Sequence, residues 1–193
     1  VGARMDEIWA DLDFGGPWQS DKQRDRADEM VRKFITWDAA NDRELVVTEE
    51  GFKVDVGGIE ITGRVDRLER DSEGRAVVVD IKTGGTKADD LARHPQLGVY
   101  QMAVLRGAFA KLGLAEPGGA TLVQVGKAAL SKKAREQVQP PLGEDPDPGW
   151  AGTLVREVAT GMGGARFAAT RNTGCNACAV RACCPVQDEG RHV

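Results

Sequence analysis

The chain has 193 residues, of which 41% are hydrophobic and 29% charged, a composition that suits one globular domain with a sizeable core. Its net charge of −4 excludes a protein whose whole surface attracts nucleic acid, so DNA binding would depend on local basic clusters and on metal. No apolar run approaches the roughly 18 residues of a membrane-spanning helix, and no signal segment opens the sequence. We therefore expect a cytoplasmic protein with no membrane partner. Because the sequence begins with Val1 rather than Met, we also expect a piece of a longer polypeptide.

The first half of the chain predicts one helix and then a set of antiparallel strands. Apolar residues recur at spacings of three and four over Asp21–Asn41, which predicts an amphipathic helix. From Glu44 their period changes to two, as in strands. The pair Gly57-Gly58 predicts a hairpin turn, because glycine accepts the positive φ of tight turns. Asp71–Gly74 predicts the next turn, and the β-branched run Ala76–Lys82 predicts a central strand.

The second half predicts a helix, a strand and a last helix. His94-Pro95 places proline at a first helical position, and the apolar pattern continues to a capping Gly113. Residues 120–125 read as a strand, residues 140–148 as an acidic proline-rich loop and residues 150–162 as a helix. The order helix, three strands, helix, strand predicts an α/β fold.

Two charged side chains share one face of the predicted central strand. Side chains alternate along a strand, so Asp80 and Lys82 project to one side while Val77, Val79 and Ile81 project to the other. If Asp66 on the neighbouring strand faces the same way, two carboxylates converge beside one lysine, which is costly unless a cation neutralises them. Hard divalent cations prefer such oxygen ligands and can activate water. The pattern predicts a site for Mg2+ or Mn2+.

Three motifs in order carry a resemblance to a known family. They are G-R-V-D-R at 63–67, V-V-V-D-I-K-T-G at 77–84 and Q-L-G-V-Y at 96–100. Together they resemble the RecB-like branch of the PD-(D/E)XK nuclease superfamily over roughly residues 44–126. The tail, with F-A-A-T at 167–170, its cysteines and the run P-V-Q-D-E-G-R at 185–191, resembles the C-terminal end of actinobacterial helicase–nuclease subunits of the AdnAB/AddB type, which process double-strand breaks.

The resemblance implies a restriction-endonuclease-like core with a mixed central sheet flanked by helices and a cysteine-bearing tail. By motif, Asp66 and Asp80 would bind the metal with the backbone carbonyl of Ile81, Lys82 would assist catalysis, and Gln96 and Tyr100 would line the site. The implied activity is metal-dependent exonucleolytic hydrolysis of DNA during repair and recombination. The implied partners are DNA, a helicase on the same polypeptide and a second helicase–nuclease subunit.

We expect a single nuclease domain with four parts. Residues 1–43 form an N-terminal helical part and residues 44–126 the catalytic core. Residues 127–164 contain a basic stretch, the proline-rich loop and the last helix, and residues 165–193 form the cysteine tail. The basic stretch, which has no acidic residue, could contact DNA phosphates or simply be a solvated face, and we favour DNA contact; it comprises Lys127, Lys132, Lys133 and Arg135.

The four cysteines are clustered in the spacing C-x2-C-x4-C-C. In a reducing compartment this indicates metal ligation rather than disulfides. Adjacent thiolates rarely reach one ion, so Cys175, Cys178 and Cys184 are the favoured ligands. In the helicase–nucleases that the tail resembles, a distant upstream cysteine completes a 4Fe-4S cluster. The chain has no such cysteine, so the cluster could be incomplete; zinc with Cys183 or solvent, and free thiols, are the alternatives.

Other interpretations remain open. The family also has a histidine in an early helix that completes the metal site, but no histidine precedes His94. This absence favours a nuclease-like module that binds DNA or a partner without turnover. A free-standing single-strand exonuclease of the CRISPR-adaptation type shares the core and the cysteine tail. The charged motif residues could also be solvated ion pairs, and Glu49 is interpreted as a solvated carboxylate at a strand edge.

Overall fold

The computed structural model describes residues 2–84, 91–126, 133–166, 168–188 and 190, in two compact units, residues 1–155 and 156–193. Its helices are α1 (Gly2–Ala10), α2 (Pro17–Ala40), α3 (Pro95–Leu105) and α4 (Trp150–Gly163). In the described part of the chain, no helix is long and apolar enough to cross a membrane. Helix α2 starts four residues earlier than predicted because proline occupies its first turn. Helix α1 was not predicted, and it buries none of its residues.

In the part of the chain that the structure describes, five strands form one mixed sheet in the order β1-β2-β3-β4-β5. They are β1 (Glu44–Asp55), β2 (Glu60–Arg70), β3 (Ala76–Lys82), β4 (Pro117–Gln124) and β5 (Arg135–Gln139). The first three pair antiparallel, β3 pairs parallel with β4 through a crossover that contains α3, and β5 pairs antiparallel with β4. The predicted α/β class, antiparallel meander and central position of β3 are confirmed.

Both predicted turns of the meander are present. Gly57 and Gly58 join β1 to β2 with φ angles of 66° and 85°, and Gly74, with φ of 81°, closes the turn between β2 and β3. These left-handed conformations are ones that glycine adopts without steric cost. The N–H of Gly74 donates to the carbonyl of Asp71. The turn residues thus set the register that brings Asp66 and Asp80 to neighbouring strands.

The predicted end of α3 was wrong, and one strand was missed. Helix α3 ends at Leu105 rather than at Gly113, because Gly107 turns the chain with φ of 78°; Gly113 instead caps a short 3-10 turn, Ala110–Leu112. Strand β5 was missed because its sequence R-E-Q-V-Q offers a single apolar residue, the exposed Val138. Its register is set by pairing with β4, which a local pattern does not reveal.

The sheet separates two apolar cores, which confirms the predicted alternation along β3. Ala76 and Val78 pack with α3 in the first core, whereas Val77 and Val79 pack with Trp37 of α2 in the second. Asp80 therefore lies on the α3 side of the sheet. Because the apolar side chains of β3 alternate between the two cores, they determine which face of the strand carries the charged residues.

The alternation changes phase midway along β1 and β2. Near one end Val47 and Leu68 pack in the first core, whereas further along it is Phe52 and Val65 that do so. Glu49 lies at the change and has a left-handed backbone with φ of 54°. Its neighbours pair with Arg67 and Val65, which places Glu49 opposite Asp66. The change of phase turns the far half of this hairpin toward α3.

Candidate active site

Asp80 and Lys82 form an ion pair near the carboxyl end of β3. Asp80 is only 2% exposed, and its Oδ2 lies 2.8 Å from Lys82 Nζ. The lysine side chain is 30% exposed, so the ion pair is partly open to solvent. Because side chains two residues apart on one strand project to the same side, the sequence predicts this pair directly. Both residues belong to β3, so the pair lies within one strand.

Gln96, in the first turn of α3, connects the pair to a third group. Its Nε2 donates to Asp80 Oδ1 at 2.8 Å, while its Oε1 accepts from Lys82 Nζ at 3.1 Å. The same Nε2 donates to the hydroxyl of Tyr100 at 2.8 Å. An amide that donates to a carboxylate and accepts from an ammonium has one orientation that satisfies both. Gln96 therefore fixes the positions of the carboxylate and the ammonium relative to each other.

Tyr100, one turn further along α3, closes the chain of hydrogen bonds. Its hydroxyl donates to the backbone carbonyl of Arg64 at 3.2 Å, and its ring meets Phe52 edge to face, with centroids 6.0 Å apart. Phe52 lies over Gly63, where an added Cβ would come within 2.6 Å of its ring. The glycine of the G-R-V-D-R motif thus makes room for the ring that supports Tyr100.

The pKa of Tyr100 is raised from its ordinary value, chiefly by burial. The hydrogen bond from Gln96 acts in the opposite direction, because it stabilises the phenolate. The negative charges of Asp80 and Asp66 raise the pKa further, and the positive charge of Lys82 lowers it. Tyr100 therefore stays protonated as a hydrogen-bond donor at neutral pH, close to both carboxylates.

Because Tyr100 is the single tyrosine of the chain, its titration can be followed without overlap from other tyrosines. We expect its pKa to lie above the ordinary value of 10.0 in the folded protein. Asp66→Asn should move the pKa part of the way back, since it removes one negative charge but leaves the burial. Ultraviolet absorbance of tyrosinate against pH measures both. A folded-state pKa at or below that of the unfolded protein would contradict this arrangement.

Asp66 lies where β2 diverges from β3. The two strands pair from Arg70–Ala76 to Arg67–Val79. Beyond that point the backbone pairing between the strands ends. The side chain of Asp66 replaces it, because its Oδ2 accepts a hydrogen bond from the backbone N–H of Ile81 at 2.8 Å. The carboxylate thus occupies the gap that opens between the two strands. Arg67, the next residue of the motif, forms ion pairs with Asp38 and Glu69.

The donor set fits a hard divalent cation. Asp80 Oδ2 is buried and accepts no hydrogen bond from the described residues, although Lys82 Nζ lies 2.8 Å away. The contact between these two groups is an ion pair. A buried carboxylate oxygen without a hydrogen-bond donor suits coordination to Mg2+, which typically takes one or two carboxylates and several waters. Among the described residues, no group of three or more His, Cys, Asp or Glu side chains is arranged to hold a metal.

The predicted basic stretch is only partly described. Lys127 and Lys132 lie outside the described residues, whereas Lys133 is exposed and Arg135 begins β5. Arg135 pairs with Gln124, which in turn pairs with Lys82. Two strand spacings, roughly 10 Å, therefore separate the backbones of Arg135 and Lys82. Contact of this stretch with DNA stays a prediction.

The cysteines lie in the second unit at two short 3-10 turns, Cys175–Ala177 and Arg181–Cys183, and Cys178 and Cys184 directly follow these turns. All four are free thiols, with Cys175 and Cys184 half-buried and Cys178 and Cys183 exposed. The Sγ of Cys175 accepts from the backbone N–H of Asn172 at 3.2 Å. Three residues of the tail motifs, Phe167, Glu189 and Arg191, lie outside the described residues.

A buried amide pair that the sequence did not reveal anchors the start of α3. Gln139 of β5 donates to the carbonyls of Leu91 at 2.8 Å and His94 at 3.2 Å, and accepts from Gln101 at 2.9 Å. Both glutamines are fully buried. They hold the segment that leads into Gln96, so β5 contributes to the placement of Gln96 and Tyr100. In the sequence, the one signal for this pair is Gln101, a glutamine on an otherwise apolar face of α3.

The chain is similar to a known family and to solved structures. A family model described as the PD-(D/E)XK nuclease superfamily matches residues 1–185. A solved structure titled "Crystal structure of SSO0001" is 20% identical and covers 83% of this chain and 70% of its own, with a TM-score of 0.45, a likeness too low to carry an argument about activity. No curated protein matches the sequence significantly.

Proposed function

This chain belongs to the PD-(D/E)XK nuclease superfamily, and we propose that within it the chain is a metal-dependent deoxyribonuclease. The observation that supports this proposal is the continuous set of contacts from Lys82 through Asp80 and Gln96 to Tyr100, with Asp66 in the adjacent gap. A solvated ion pair would need none of these cross-connections. The set combines carboxylates for a cation with a fixed ammonium, a combination that suits metal-assisted hydrolysis of phosphodiesters.

Each residue would have a distinct role. Asp66 and Asp80 would hold Mg2+ or Mn2+ together with the carbonyl of Ile81. When bound, the ion supplies positive charge that makes water more acidic and stabilises charge on the phosphate. Lys82 would orient the attacking water and offset the charge that develops on the phosphate oxygens. Gln96 and Tyr100 would keep the lysine and the substrate aligned, because they connect α3 to the sheet.

Cleavage assays separate this proposal from its main alternative. A nuclease-like binding module is favoured by the absence of any histidine before His94 in the sequence. End-labelled single-stranded and double-stranded DNA should be shortened by the chain with Mg2+ or Mn2+ and left intact in a chelator. Retention of DNA without shortening under all metal conditions would favour the binding module.

We further propose that the chain acts within an ATP-dependent helicase–nuclease that processes double-strand breaks, with a helicase and a second subunit as partners. The order of the three motifs and the cysteine tail support this context. The remaining alternative is a free-standing single-strand exonuclease. Co-purification of ATP-dependent unwinding with cleavage from the source cells would support the helicase context, and cleavage without any associated ATPase would support the alternative.

The cysteine tail gives a prediction of its own. We propose that Cys175, Cys178 and Cys184 bind a 4Fe-4S cluster, which these three thiolates would leave one ligand short. Protein purified without air should therefore contain iron at less than one cluster per chain, with broad visible absorption. Cys178→Ser should abolish the iron, whereas Cys183→Ser, next to a proposed ligand but outside the set, should retain it. Zinc in place of iron, or no metal at all, would contradict the cluster.

A further inference from the structure

Arg64 is an exposed cation whose backbone is in direct contact with the hydrogen-bonded site. It lies on β2, two residues before Asp66, and its carbonyl accepts the hydroxyl of Tyr100 at 3.2 Å. The position of its backbone is therefore fixed by the same chain of contacts that holds Gln96 and Asp80. Its side chain is 67% exposed, so the guanidinium extends from a rigid anchor into solvent.

The guanidinium of Arg64 already has a partner. Its Nε lies 3.4 Å from Glu49 Oε2, and the Glu49 side chain is itself 64% exposed. Glu49 is the residue with a left-handed backbone at the phase change of β1, opposite Asp66. Non-glycine residues keep such a conformation only where their surroundings hold them in it, commonly near functional sites. An exposed ion pair contributes little to folding, so stability does not explain why the pair is present.

The negative charges around the site favour a positive side chain that can contact the phosphates of a nucleic acid. Asp66, Asp80 and Glu49 are negative, the chain as a whole carries −4, and Lys82 is engaged with Asp80. A nucleic acid strand approaching these carboxylates is repelled unless a positive group meets its phosphates. Guanidinium groups suit this task because their donors match phosphate oxygens in a two-point geometry.

We propose that Arg64 binds a backbone phosphate of the DNA strand at the mouth of the site, and that Glu49 holds Arg64 until that phosphate replaces it. This inference rests on the proposed function, because it requires DNA as the substrate. Glu49 would thus weaken the binding of strands that do not reach Arg64, and Arg64 would exchange one carboxylate for one phosphate. The contact is sequence-independent, since it involves the backbone alone.

Binding can be measured separately from cleavage. Fluorescence anisotropy of a labelled single-stranded oligonucleotide, in chelator and over a range of salt, gives the affinity and its salt dependence. Arg64→Gln should weaken binding at low salt by several-fold and flatten the slope of log affinity against log salt by about 0.7. Lys53→Gln is the matched control: Lys53 lies on the same hairpin, is 66% exposed and pairs with Glu60. It should leave the affinity and the slope nearly unchanged.

A double-mutant cycle tests the exchange itself. Glu49→Gln should tighten binding by several-fold in the wild-type background, because it releases Arg64, and by much less in the Arg64→Gln background. Equal effects in both backgrounds, or an Arg64→Gln variant that behaves like Lys53→Gln, would overturn the inference while wild-type binding and cleavage leave the proposed function standing. If the wild-type chain neither binds nor cleaves DNA, the proposed function and this inference are both wrong.

Discussion

Asp80→Asn is expected to lower metal-dependent DNA cleavage by on the order of 10³-fold or more, since removing one charge-stabilising group from a site commonly costs 10²–10³-fold and this one would also bind the metal. Asparagine keeps the shape of the side chain, but it removes the charge from a position that is 2% exposed. The lost charge serves both Lys82 and the proposed cation. Initial rates on end-labelled DNA at saturating Mg2+ or Mn2+ measure the effect.

The control for this variant is another aspartate without a place in the site. Asp25 is an exposed residue of α2, so Asp25→Asn removes the same charge and should leave the rate unchanged. Thermal melting separates chemistry from folding. Because Lys82 is 30% exposed, water can solvate its ammonium when the charge of Asp80 is lost, and asparagine keeps the bond to Gln96, so the melting temperature of Asp80→Asn should stay within a few degrees of wild type. Wild-type cleavage by Asp80→Asn would contradict the assignment.

Glu69→Ala is expected to lower the free energy of unfolding by about 3–5 kcal/mol, the usual cost of removing one partner from a buried ion pair. Glu69 is fully buried on the α2 side of the sheet. Its Oε1 accepts from Arg67 and from Asn41, and its Oε2 accepts from Arg43 at 2.6 Å. Without Glu69, the nearly buried guanidinium of Arg67 would keep Asp38 as its remaining ion-pair partner. Urea denaturation followed by circular dichroism gives the change.

An exposed ion pair on the same sheet provides the comparison. Glu44 pairs with Arg70 at 2.8 Å, and its side chain is largely exposed, so Glu44→Ala should cost about 0–1 kcal/mol. Should Glu69→Ala destabilise the protein no more than Glu44→Ala does, the buried network would not have the importance that its burial indicates. The network lies on the face opposite Asp80, so the residual folded Glu69→Ala protein should keep its cleavage chemistry.

The strands and the charged face of β3 could be predicted because their signals are local. Alternation over Val77, Val79 and Ile81 is enough to place Asp80 and Lys82 on the other side, and the glycine pair at 57 and 58 is enough to place the hairpin. The structure confirms both the charged face of β3 and the hairpin. Spacing along the sequence carried this information without reference to any distant contact.

The edges of the fold depended on contacts that the sequence does not display. Strand β5 is polar and exists because β4 offers it a pairing edge, and α3 stops at a glycine that nothing in the apolar pattern distinguishes from the later Gly113. The phase change at Glu49 is likewise invisible, because it requires a left-handed conformation at a residue that rarely adopts one. Tertiary contacts decide each of these features.

For the site, the sequence supplied the residues and the structure supplied their connections. The motifs named Asp66, Asp80, Lys82, Gln96 and Tyr100 through a family resemblance. The amide of Gln96 that bridges carboxylate and ammonium, and the carboxylate of Asp66 that caps the N–H of Ile81, follow from how α3 and β2 approach β3. Such approaches depend on Gln139 and Phe52, which are distant in sequence from the residues they support.

Binding of Mn2+ followed by electron paramagnetic resonance is the most direct measurement of the central claim, because it reports on the cation without requiring turnover. The account predicts that the wild-type chain and Asp25→Asn bind Mn2+ with the same affinity. It predicts that the double variant Asp66→Asn with Asp80→Asn loses this binding while its circular dichroism spectrum stays that of the folded protein. A folded double variant that binds Mn2+ as tightly as the wild type would contradict the account.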